Sequence, residues 1–143
     1  LRNVLGVRSS GHTVAKLLQP FTTPAVRLTS VTHPEYVLRM REFFTRHDRH
    51  NRHALLLRGA EGEAVAHPRR APQMEWLDGQ SAQLWEAPGE AAPVLPASRD
   101  AQVTAAWIRE VLDGRQPIPA AIAHQAACCV KAVRLVQELE CTA

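Results

Sequence analysis

The stretch "AVRLTSV" (25–31) follows Pro24 and alternates apolar with polar positions, a two-residue period that predicts a strand. Thr32 then opens "THPE". Thr32 and Glu35 have the spacing of a capping box, and Pro34 is tolerated in a first helical turn. Val37, Met40 and Phe44 follow on one face at the 3.6-residue period of an amphipathic helix, which ends near "RHDRHNRH" (46–53). The run "ALLLRG" (54–59) is the next predicted strand. Strand, helix and strand in this order predict a βαβ unit with a parallel pair.

Beyond residue 60 the pattern shortens. "EAVAHP" (63–68), "QMEWL" (73–77) and "AQLWEA" (82–87) read as short strands joined by turns bearing Gly or Pro, an antiparallel addition to the sheet. "APGEAAPVLPASRD" (87–100) holds three Pro and reads as a linker. Ser98 or Asp100 can cap the helix that carries Val103, Trp107 and Val111 every four residues. "LDGRQPIP" breaks it. A longer helix starts near Pro119, with Ile122, Ala126, Cys129, Val130, Val133 and Val136 as its expected buried stripe. Its other side shows His124, Gln125, Lys131 and Arg134. The fold class is α/β: a parallel sheet with an antiparallel addition and flanking helices.

Length and composition add bounds to this picture. The chain has 143 residues, enough for one domain with a substantial core, and no apolar run long enough to span a membrane. It starts with Leu1 and is expected to be a fragment of a longer protein. Cys128, Cys129 and Cys141 make an odd count. They read as small apolar residues of a reduced, cytoplasmic protein. Formal net charge is +3, which by itself does not imply a polyanionic partner. The kind of base says more, with 15 Arg against 2 Lys. Guanidinium forks match phosphate oxygens and stack on bases. Genome composition can produce the same bias.

Local chemistry stays open at this level. His47, His50 and His53 are three residues apart, a spacing that shares a helix face and suits a metal clamp, yet their polar neighbours read as a solvated helix exit. Glu61 and Glu63 can hold Mg²⁺ if extended, but Gly62 between them favours a turn. Trp76 and Trp85 can stack on bases, although aromatic residues in short strands are more often core. Arg27 reads as a surface residue of its strand. The sequence has no Ser-His-Asp arrangement, Walker loop or GxGxxG.

Four motifs in collinear order carry a resemblance. "RNVLGVRSSGHTVAKLLQPF", "SVTHPEYV", "HALLLRGAEGEAVAH" and "LDGRQPIPAAIAHQAACCVKA" resemble segments of the anthranilate phosphoribosyltransferase family (glycosyl transferase family 3). The resemblance implies that residues 1–143 form the C-terminal portion of a phosphoribosyltransferase/nucleoside-phosphorylase-like large α/β domain. The family's helical N-terminal domain and glycine-rich pyrophosphate loop have no counterpart in this chain. The departures are as telling. Aligning Gly59 and Gly62 with the family's two glycines puts Ala64 and Val65 where the family has a metal-binding Asp-Glu pair. The family's G-P-T reads Pro68-Arg69-Arg70, and amide positions become His12 and His124-Gln125.

"THPEY", "PRR" and "KLLQPF" resemble a divergent YbiB-type branch, whose members bind nucleic acid and lack the biosynthetic activity. The resemblance implies a cytoplasmic homodimer, formed through the missing N-terminal region, that takes single- or double-stranded nucleic acid in a basic groove with little sequence preference. No catalytic residue, metal or cofactor is expected. The expected phosphate contacts are Arg2, Arg8, Lys16, Arg58, Arg69 and Arg70, with Lys131 and Arg134 as further lining. The alternative it implies is an active transferase using Mg²⁺ and phosphoribosyl pyrophosphate. Arg2 would then orient the acceptor, and Glu61 or Glu63 would bind the metal.

Overall fold

The computed structural model describes residue 14 and residues 17–46, 53–59, 64–87, 89–90 and 92–141, the side chain of Glu140 apart. Strand β1 (Arg27–Val31), helix α1 (Pro34–Arg46) and strand β2 (Ala54–Arg58) form the expected βαβ unit, with β1 and β2 parallel and in register from Arg27↔Ala54 to Val31↔Arg58. Strands β4 (Gln73–Leu77) and β5 (Ala82–Glu86) add on antiparallel, giving the order β1-β2-β4-β5. Helices α2 (Ala101–Leu112) and α3 (Ala120–Cys141) follow the sheet in the chain.

The β2 sequence explains its central place. Ala54 to Leu57 are all buried, which requires cover on both faces of the sheet. On one face Leu56 and Leu77 pack with Val37 and Phe44 of α1, and Met40 joins them as the helical period predicted. On the other face Leu55, Leu57 and Met74 meet Cys128 and Cys129, while Trp76 meets Ala132 and Val136 of α3. Burial raises the pKa of both cysteines, as befits thiols used as small apolar groups. The β4–β5 hairpin closes through Asp78, whose carboxylate accepts from the Gln80 and Ser81 amides at 2.8 and 2.7 Å, and through Gly79 at φ 84°.

Several expectations need correction. Among the described residues Thr32 and Glu35 exchange no hydrogen bond. Pro34 takes the first helical position, so the residue before it is His33, whose carbonyl accepts from the Tyr36 amide at 3.1 Å. Residues 64–68 form no strand, only a bridge between His67 and Arg70, because Pro68 turns the chain. A small ribbon, β3 (Arg70–Ala71) with β6 (Gly89–Glu90), arises where no alternation announced it. Arg27 is not a surface residue. It is buried, donates to the Leu17 carbonyl at 3.0 Å, and lies 4.6 Å from the Phe44 ring centroid.

The α3 stripe is also displaced. Ala121, Gln125, Ala132 and Val136 face inward, while Val130 and Val133 are about half exposed and Ala126 faces solvent. Ala132 and Val136 pack on Trp76, and that contact turns Val130 and Val133 outward. Gln125 moves from the expected open side to the buried side. Of the two candidate caps for α2, Asp100 serves: its Oδ1 accepts from the Gln102 and Val103 amides at 2.8 and 3.1 Å.

Candidate functional site

The carboxyl ends of β1 and β2 lie side by side, tied by the Gly59 amide donating to the Val31 carbonyl at 3.1 Å. A cleft of about 480 Å³ opens there. Thr32, Arg58 and Gly59 line it from the ends of the two parallel strands, and Arg70, Gln73 and Glu90 from the antiparallel side. This is where open α/β sheets place ligands, because the loops that leave parallel strands diverge at the carboxyl ends.

Arg58 is the last residue of β2, in register with Val31 on one side and Gln73 on the other. Its side chain leaves the sheet at the rim and is exposed. Arg70 arrives by a turn that His67 organises. The His67 carbonyl accepts from the Arg70 amide at 3.4 Å, and His67 Nδ1 accepts from the Arg69 amide at 3.1 Å. Arg70 then pairs with Glu90 across the ribbon. Two guanidiniums and one imidazole therefore face the cleft against one carboxylate. Among the described residues neither arginine has a side-chain partner within ion-pair distance, and exposed unpaired guanidiniums are suited to anions with several oxygens. Val65 contributes an apolar patch to the same wall.

The adjoining Arg69 is exposed on the turn and lies outside the cleft lining, since consecutive turn residues point in different directions. Lys131 and Arg134 form a second basic surface on the open side of α3. They line a shallow hollow of about 430 Å³ together with Glu138. The two surfaces approach each other at the start of α3, where Gln125 Nε2 donates to the Ala64 carbonyl at 3.4 Å, next to cleft residue Val65. Arg2, Arg8, Lys16, Glu61, Glu63, His47 and His50 lie outside the described residues.

Sequence reasoning treated Trp76 and Trp85 as one question, and the structure separates them. Trp76 is buried between His53, stacked 5.5 Å away, and Trp85, stacked at 5.1 Å with 13° between planes. Trp85 is half-buried, with the Lys131 ammonium 4.0 Å from its ring centroid. No linear motif could reveal that pairing, because the two residues are 46 positions apart and meet only across the sheet–helix interface.

Fold and site together define a mixed α/β protein with a basic cleft at the carboxyl ends of its parallel strands. No known family model matches the chain. It is similar to "Uncharacterized protein YbiB" of Escherichia coli (strain K12), with 44% identity over 131 residues covering 90% of this chain. The chain spans about 40% of the length of that curated relative.

Proposed function

We propose that the chain is part of a non-catalytic, phosphoribosyltransferase-like protein that binds nucleic acid through a basic groove with little sequence preference. The observation that carries this reading is the convergence of Arg58 and Arg70, both exposed and without side-chain partners among the described residues, on a cleft at the carboxyl ends of β1 and β2. The nearby start of α1, a 13-residue helix, adds the positive end of its dipole to that region. Cations that meet phosphate oxygens bind every sequence alike, because the backbone charge is the same for all of them. The likeness to YbiB over most of the chain supports the YbiB-type reading, and the collinear motifs of residues 2–21, 30–37, 53–67 and 112–132 support the transferase-like ancestry. In this reading the intact protein is a cytoplasmic homodimer.

The test is the affinity of the intact protein for two unrelated single-stranded oligonucleotides across a salt series. The expected result is similar affinity for both, falling steeply as salt rises through counterion release. Absence of binding at low salt overturns the reading.

A further inference from the structure

Resting on the nucleic-acid reading, we propose that Trp85 and Lys131 form a base-stacking platform, on which an unstacked base of a bound strand lies against the Trp85 ring. Trp85 has one face against Trp76, which is itself backed by His53. Two near-parallel rings 5.1 Å apart leave little room between them, so the Lys131 ammonium, 4.0 Å from the Trp85 centroid, covers the outer face. The inner face is fixed by packing. The outer face is covered by an exposed lysine on a flexible stem, and a cation–ring contact at an exposed site is weak. An unstacked base can displace that ammonium and lie on a ring already held in orientation by two others.

The surroundings suit a strand arriving from the cleft. His124, Lys131 and Arg134 stand at i, i+7 and i+10 on the open side of α3, a stripe along one helix face. From Gln125, which touches the loop beside the cleft, to Arg134 is roughly 14 Å along the helix. Lys131, once displaced, remains within reach of the phosphate of the same nucleotide, and Arg134 follows one turn on. Glu86, 3.8 Å from His124 Nδ1, and Glu138 beside Arg134 border the stripe with negative charge and keep it narrow. A duplex keeps its bases stacked on one another and offers none to the ring.

The experiment measures the intact protein's affinity for a thymidine oligonucleotide, an abasic deoxyribose-phosphate oligomer of equal length, and a duplex. The expected wild-type preference for the base-bearing strand over the abasic one is about tenfold or more. Trp85→Leu should remove that preference and leave abasic binding unchanged, while Trp85→Phe, which keeps a flat ring, should retain most of it. Lys131→Met should flatten the salt dependence and keep the base preference. Equal wild-type binding of base-bearing and abasic strands overturns the platform while leaving the basic groove standing. So does a Trp85→Leu variant that retains the preference. Failure of the wild type to bind any of the three at low salt overturns the nucleic-acid reading itself.

Discussion

Two sets of arginines divide this molecule. Arg27 and Arg41 are bound to the core. Arg41 Nε and Nη2 reach both carboxylate oxygens of Glu75 at 2.5 and 2.6 Å, and Gln73 Nε2 donates to the same carboxylate. Glu75 is 2% exposed and Arg41 is partly exposed, so this fork joins α1 to β4 at the edge of the core. Arg58, at the end of β2, and Arg70, at the start of the β3–β6 ribbon, line the cleft with no such partner among the described residues. A guanidinium satisfied by an internal carboxylate has little left for a ligand. One left open at a cleft rim contributes little to folding and keeps its charge for a ligand's phosphate. Charge counting cannot separate the sets; partner and burial do.

Substitutions should break the two sets in opposite ways. The largest effect belongs to Arg41→Met, which strands a buried carboxylate. We expect a loss of about 3 kcal/mol in chemical denaturation, reduced from the fully buried case because Arg41 is partly exposed. The same pair sets an acid dependence. Hydrogen bonding from Arg41 is the main cause that holds the Glu75 pKa below its usual 4.5, against the opposing effect of burial, with Gln73 assisting. A depressed carboxyl pKa gives stability that is present above the unfolded value and lost as pH falls through the folded value. Denaturation midpoints of the wild type should therefore drop below about pH 4.5, and Arg41→Met should flatten that drop.

The cleft set should show the reverse. Arg58→Met with Arg70→Met should leave stability within about 0.5 kcal/mol. The logarithmic salt slope of oligonucleotide binding should fall by roughly 1.5, equally for unrelated sequences. A double variant that unfolds, or that binds with an unchanged slope, would erase the distinction between the sets. The smallest effect is a control away from both. Asp100→Ala removes the α2 cap and should cost about 1 kcal/mol of stability, with oligonucleotide affinity unchanged.

Much of the scaffold could be read from the linear pattern. The βαβ unit, the antiparallel pair and both later helices follow from periods, prolines and caps, which are local properties of a chain. The errors share one physical cause. Arg27 was assigned to the surface of its strand, yet the Phe44 ring and the Leu17 carbonyl, brought to it by the fold, gave it partners within the core. The α3 stripe was placed on Ile122, Ala126, Cys129, Val130, Val133 and Val136, whereas packing on Trp76 kept Val136, added Ala132 and left Ala126, Val130 and Val133 outside. Arg69 and Arg70 were taken together as parts of one Pro68-Arg69-Arg70 motif, and a turn sent only Arg70 to the cleft.

The sequence by itself determined the α/β class, the order of the main elements, the arginine pair that ends the loop after β2 and the likeness to YbiB. Only the tertiary structure decided which arginines are bound into the core, which face a cleft, and that Lys131 lies over Trp85 rather than in open water. The first group depends on neighbours within a few positions, where period and turn chemistry act. The second depends on contacts between residues brought together by the fold, and no local pattern encodes which partner a charge will find.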